Sequence, residues 1–142
     1  MRQLRASLAR AKHVVERVQA DRPGLRWEPN GVMEPELDVA CTTARLHLGP
    51  HPDDADRRGV LLAFEDVRHV SFGFPNDEGR FHHRLWRFGL SEVHWIGKVE
   101  GSQLIEEVTH ASALPSALTH WVVLLKEETV EVVARGLEVT RE

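Results

Sequence analysis

A long apolar segment, residues 59–74, ends at Pro75 in a dense group of polar and aromatic side chains. Its first part, Val60–Phe64, is almost continuously apolar, which is typical of a strand covered on both faces. Glu65 and Asp66 then interrupt the apolar run before it resumes. A strand of this length predicts a bend or bulge near Asp66. The sequence therefore predicts a buried strand that ends at a polar corner.

The remaining elements are predicted from the periodicity of apolar residues. Four further strands are predicted from β-branched or alternating residues: Val39–Leu48, Glu92–Val99, Leu118–Leu125 and Thr129–Ala134. Three helices are predicted from helical spacing and breakers: 2–19, Arg80–Arg87 and Gln103–His110. Short links and a final hairpin favour an α+β fold. We expect a mostly antiparallel sheet of about five strands with two or three helices.

The length of 142 residues predicts one domain, over residues 23–142, preceded by a basic amphipathic helix over residues 1–22. Residues 1–20 carry five arginine and lysine side chains against Glu16 alone. A stripe of small apolar residues on this helix predicts a thin contact with the domain, or with a second copy in a homodimer. The stripe consists of Leu4, Leu8, Ala11, Val15 and Val18.

Charge and cysteine content exclude several classes of protein. The net charge is −4 although the N-terminus is basic, so the rest of the chain is acidic and unsuited to nucleic acid. Cys41 is the single cysteine, which prevents an intrachain disulfide and fits a reducing compartment. The longest apolar runs are too short to span a membrane, and no secretory signal is recognisable. We therefore expect a cytoplasmic protein.

The nine histidines are the strongest candidates for chemistry. Glu78 and His82 have helical i, i+4 spacing, which indicates either a carboxylate–histidine contact or a small catalytic or metal site. The histidines of three different strands could converge with His82 on zinc, or lie scattered at sheet edges. Those three are His69, His94 and His120. No phosphate-binding or dinucleotide motif is present, so we expect no cofactor.

The polar corner is the best candidate for a binding surface. Tryptophan beside acidic residues is common in surfaces that bind proteins, although the same residues could form a structural corner in which Asn76 caps a helix. The candidate residues are Asn76, Asp77, Glu78, His82, His83, Trp86 and His120. No catalytic residue and no metal ligand is assigned among them.

The same stretch carries a resemblance to known proteins. The pattern Phe-Gly-x-Pro-Asn-Asp-Glu at residues 72–78, then His82 or His83 followed by Leu85, and then Gly89-Leu90, resembles a family of small uncharacterised bacterial proteins. The similarity extends over about residues 58–135, and some of these proteins look like immunity partners of secreted toxins. The resemblance implies a non-catalytic protein with an unidentified protein partner.

Two functional hypotheses follow. The first is a non-catalytic protein-binding module, in which an acidic surface blocks a basic partner such as a nuclease. The alternative is a small hydrolase or metal-dependent enzyme that uses Glu78 and His82. The lack of a recognisable catalytic motif favours the binding module and leaves enzymatic activity open.

Overall fold

A computed structural model describes residues 15–30, 35–112 and 117–142 of the chain. These residues form one antiparallel sheet in the order β1-β5-β6-β7-β4-β3-β2. The strands are β1 (Arg17–Ala20), β2 (Glu36–Ala40), β3 (Thr43–Leu48), β4 (Val60–Gly73), β5 (Ile96–Glu100), β6 (Thr119–Leu124) and β7 (Thr129–Arg141).

Helices are few in the part of the chain that the structure describes. A single α-helix, α1 (Gln103–Ser112), connects β5 to β6. Three short 3-10 helices lie between β4 and β5: Arg80–His82, Trp86–Phe88 and Leu90–Glu92. The predicted fold of about five strands with two or three helices is therefore wrong, because the domain is mostly sheet with seven strands.

Both additional strands arise where the sequence pattern was misinterpreted. Val39–Leu48 was predicted as one strand, but the chain reverses at Cys41, whose φ of 51° allows a tight turn between β2 and β3. Arg17–Ala20 was predicted as the end of a helix, yet it pairs with β5 as the edge strand β1. The first part of that predicted helix lies outside the described residues.

The longest strands, β4 and β7, pair along almost their whole lengths. Their register shifts between Val67 and His69, and Asp66 has a φ of 50°. A bulge next to Asp66 is therefore confirmed. Bulges increase the local twist of a sheet, so this one bends the central pair of strands.

Two apolar clusters cover the sheet. Trp121 and Val122 follow one another in β6 and belong to different clusters, which places the clusters on opposite faces because side chains alternate along a strand. We call the face that carries Trp121 the inner face. There the rings of Phe64 and Trp121 pack edge to face, with their centroids 5.5 Å apart. We call the face that carries Val122 the outer face; there Leu85 and Leu90 pack against the sheet.

The outer face is covered by residues 80–92, which contain the three 3-10 helices and are called the 3-10 segment here. A single helix over Arg80–Arg87 was predicted in this place. That prediction is wrong, and so is the expectation that Phe81, Leu85 and Phe88 all face the core. Leu85 is fully buried, while Phe81 and Phe88 are exposed. Within the described residues there is no helix of the length and apolarity that crossing a membrane requires.

Candidate functional site

Two hydrogen bonds, one from a side chain and one from a backbone amide, fix the loop after β4 to the β6–β7 hairpin. The hydroxyl of Thr129 donates to the carbonyl of Pro75 at 2.7 Å, and the amide of Asp77 donates to the carbonyl of Lys126 at 2.8 Å. Within the loop, the amide of Gly79 donates to the side-chain oxygen of Asn76 at 3.0 Å. These bonds fix the polar corner to the β6–β7 hairpin.

This fixed loop presents aromatic rings to solvent. Phe74 is 95% exposed and Phe81 is 58% exposed, and Phe72 at the end of β4 is also exposed. The ring of Phe81 lies against His82, with ring centroids 4.1 Å apart. A single exposed apolar residue is ordinary, but several large ones within ten residues indicate an interaction surface.

Exposed acidic side chains lie on the same loop and on the adjoining turn. Asp77 and Glu78 are exposed on the loop, and Glu127 is exposed on the adjoining β6–β7 turn. Lys126 is the exposed cation of that turn. The Phe74 surface is defined here as Phe74, Asp77, Glu78, Phe81, His82 and Glu127. Phe72 is left out, because its strand partner Val130 places it on the inner face.

Behind the loop, two of the predicted site histidines meet on one carboxylate. His120 Nε2 lies 2.9 Å from Oε1 of Glu131, and His83 Nε2 lies 3.3 Å from Oε2 of the same residue. The contact between His120 and Glu131 follows from the sheet, because both side chains point to the outer face from the neighbouring strands β6 and β7. His83 reaches them from the 3-10 segment.

The hydrogen bonds orient each ring. The carboxylate of Glu131 can only accept, so each imidazole donates to it from Nε2. Nδ1 of His83 correspondingly accepts the amide of Leu85 at 3.0 Å. Nδ1 of His120 lies 2.8 Å from Oγ of Ser102, and the same Oγ accepts the amide of Ile105. Ser102 therefore links the helix α1 to the histidine.

Arg84 extends the group to the first described residues of the chain. Its guanidinium donates to Oε1 of Glu131 at 3.2 Å and to Oε1 of Glu16 at 3.0 Å. Glu16 is itself buried, and its other oxygen accepts the amide of Gln103 at 3.2 Å. We call this set the Glu131 cluster: Glu16, His83, Arg84, Ser102, His120 and Glu131.

The pKa of Glu131 reflects two opposing influences. Burial by itself raises the pKa of this carboxyl. Hydrogen bonds from His120 and His83, together with the charge of Arg84, outweigh burial and hold the pKa well below its usual range. Glu131 is thus ionised at neutral pH, which gives the histidines and Arg84 a permanent negative partner.

The predicted site residues divide into two groups. Asp77, Glu78 and His82 are exposed, and half-buried Asn76 supports their loop. His83 and His120 join the Glu131 cluster, and Trp86 packs against the outer-face core. The placement of His120 on a binding surface needs correction, because His120 is 0% exposed in the middle of the sheet.

The catalytic alternative receives little support from the geometry around Glu78 and His82. Both side chains are exposed, and the ring of His82 lies tilted against that of Phe81. Across the described ranges, no three side chains of histidine, cysteine, aspartate or glutamate are grouped as a metal site requires. Of the two alternatives for His69, His94 and His120, convergence with His82 on zinc is therefore not seen there.

The Glu131 cluster has the residue types of a serine–histidine–carboxylate relay, but its geometry is that of a helix cap. Oγ of Ser102 accepts the amide of Ile105, the usual role of an N-cap serine. The neighbouring amide of Gln103 is bonded to the carboxylate of Glu16. Acyl transfer would need free N–H donors here to stabilise a developing oxyanion, but the carboxylate of Glu16 already occupies this position. We interpret the cluster as structural.

Comparison with known proteins does not identify the chain. No family model matches it, and neither a curated protein nor a solved structure is similar to it. The resemblance over residues 58–135 stays a prediction. Function is therefore argued from the residues of the site.

Sequence reasoning missed Glu131, which organises the buried group. One signal was available: Glu131 is the single acid within Thr129–Ala134, the most strand-like segment of the chain. A carboxylate in a buried strand needs donors, and nearby histidines are the expected source. Glu16 and Arg84 gave no comparable signal, because their partners lie 68 or 87 positions away in the sequence.

Proposed function

We propose that the protein is a non-catalytic protein-binding module that uses the Phe74 surface. The observation that carries the proposal is Phe74, an aromatic ring 95% exposed on a loop that hydrogen bonds fix to the β6–β7 hairpin. Ordering a flexible loop costs binding free energy, so a loop already fixed favours tight binding. Large aromatic residues are also enriched among the side chains that dominate binding energy.

The charge of the surface indicates the kind of partner. Three exposed acids, Asp77, Glu78 and Glu127, lie on this loop and on the adjoining turn, and complementary charge accelerates association with a basic protein. A basic nuclease toxin fits this description, as the resemblance to immunity partners also suggests. A cytoplasmic location is part of the proposal, since the single cysteine suits a reducing compartment.

The test compares variants in affinity capture from cells of the source organism, with quantitative mass spectrometry. The wild type should recover a basic protein. Phe74→Ala should weaken that interaction about 30-fold or more, as loss of a central aromatic contact does. Phe88→Ala is the matched control, because Phe88 is an exposed phenylalanine outside the surface, and it should bind like the wild type.

Two results would contradict the binding module. If the wild type recovers only chaperones, the protein has no specific partner under these conditions, which contradicts a binding module. Equal binding by the wild type and Phe74→Ala would show that a partner exists but docks elsewhere. Replacing Asp77 and Glu78 by their amides gives a second measure, because an acidic docking surface predicts a weaker dependence of affinity on salt in this variant.

A further inference from the structure

An open groove with a volume of about 810 Å³ runs along α1. Its apolar wall is formed by Val99 of β5, Ile105 of α1 and Leu118, which lies just before β6. Glu106 and Glu107 of α1 add two carboxylates to the lining. An apolar groove beside a helix is the kind of site into which an amphipathic helix lays its apolar face.

The helix α1 has an apolar face that the described residues cover incompletely. Leu104, Ile105 and Val108 recur with helical spacing, and each of them is only half-buried in the described part of the chain. Helices in globular proteins are stabilised mainly by burial of such a face against another element. A further element is therefore expected in the groove.

The chain before β1 leads directly to this groove. Arg17, the first residue of β1, pairs with Glu100, the last residue of β5, and α1 begins shortly afterwards at Gln103. Oε2 of Glu16 accepts the amide of Gln103, which lines the groove, at 3.2 Å. Residues 1–14 precede the described part of the chain, so they are attached at the end of the groove where α1 begins.

The sequence of residues 1–14 complements the groove in shape and in charge. On a helix, Leu4, Leu8 and Ala11 share one face. Val15 is 67% exposed, so the part of the stripe that can enter the groove ends before it. A helix over residues 1–14 would be about 21 Å long, enough to follow the whole of α1, at about 15 Å. The segment has four cationic side chains and no acidic one: Arg2, Arg5, Arg10 and Lys12.

We propose that residues 1–14 occupy this groove of their own chain as an amphipathic helix. The apolar stripe packs against Ile105 and Leu118, and the cationic side chains lie near Glu106 and Glu107. Only Val15 and Glu16 separate the segment from β1. A link this short gives an effective concentration on the order of millimolar, which favours docking within one chain over docking between two copies.

The experiment places a nitroxide at position 3 of the full chain, because a nitroxide broadens the ¹⁵N-amide NMR signals of residues near it. The labelled chain carries Gln3→Cys together with Cys41→Ser, so that the label has a single attachment site. We expect broadening of the amide signals of Thr109 and His110 in α1. The signals of β2, at the far edge of the sheet, should stay sharp.

Two alanine variants of the labelled chain test the stripe. Ala11→Asp should lower the equilibrium constant for docking about tenfold or more and restore the α1 signals, because a carboxylate would enter an apolar contact. Ala6→Asp is the matched control, because residue 6 lies about 200° around the helix from Leu4 and points away from the groove. Its α1 signals should stay broadened.

Three results would overturn the proposal. The nitroxide at position 3 could leave the α1 signals sharp, or Ala11→Asp could leave them as broad as in its parent. A mixture of ¹⁵N-labelled chain without nitroxide and unlabelled chain with nitroxide gives the third. Broadening of α1 in that mixture would place the segment in the groove of a second copy. None of these results bears on the Phe74 surface.

Discussion

At the scale of single residues, the most informative side chain is Glu131. It accepts hydrogen bonds from two histidines and an arginine, and through them it connects β6, β7, the 3-10 segment and the residues before β1. A buried charge of this kind is weak evidence for net stability, but breaking the arrangement leaves several donors unpaired. The Glu131 cluster therefore holds together elements that are distant in sequence.

Glu131→Gln tests this role. The substitution removes the charge that pairs with Arg84 while keeping the shape of the side chain. We expect the free energy of unfolding at pH 7 to fall by about 3 kcal/mol, measured by urea denaturation. Glu127→Gln, which removes an exposed carboxylate, should change it by less than about 0.5 kcal/mol.

The pH dependence of stability follows from the direction of the pKa shift. The folded-state pKa of Glu131 is lowered relative to the unfolded chain, whose carboxyl titrates near 4.5. The contribution of Glu131 is therefore complete above that value and is lost as the pH falls below it. The difference between wild type and Glu131→Gln should thus shrink between pH 6 and pH 3, and a constant difference would contradict this account.

At the scale of elements, β1 depends on glycines of its neighbours. Gly89 has a φ of 106°, and a Cβ at this position would lie 2.4 Å from the carbonyl oxygen of Val18. A Cβ at Gly97 would lie 2.8 Å from a methyl group of Val18. The edge strand can approach β5 and the 3-10 segment only because both positions lack a side chain.

Gly89→Ala should therefore destabilise the fold. It combines an unfavourable φ with a clash against backbone, and we expect a loss of about 2–5 kcal/mol in the free energy of unfolding by urea denaturation. Gly136→Ala is the control, because a Cβ there meets no atom within 4 Å, and its effect should stay within about 0.5 kcal/mol. Equal stability of the two variants would show that β1 is not packed against Gly89.

The elements also show how far sequence patterns reach. Continuous or β-branched apolar runs predicted β4, β6 and β7, and Ser102 before an apolar stripe predicted α1. The turn at Cys41 was missed, since it contains no glycine or asparagine to mark it. β1 and the 3-10 segment were mistaken for helices because their apolar residues recur every three or four positions. In short segments this spacing does not determine the backbone conformation, since tertiary contacts can override it.

At the scale of the whole molecule, the central hairpin of β6 and β7 connects the two groups of site residues. Its strands carry His120 and Glu131 on the outer face, and its turn carries Lys126 and the contact with the Phe74 loop. Sequence predicted the polar corner but placed His120 on its surface, because burial of a polar strand residue depends on partners remote in sequence. The homodimer through the N-terminal helix stays a prediction.

The most direct test of the Phe74 surface is photo-crosslinking from position 74 in living cells of the source organism. A benzophenone amino acid replaces Phe74 in one variant and Phe88 in a control variant. We predict a discrete crosslinked species with a basic protein from position 74 and no such species from position 88. Identical crosslinking patterns from the two positions would contradict the proposal that the Phe74 surface is where this protein binds its partner.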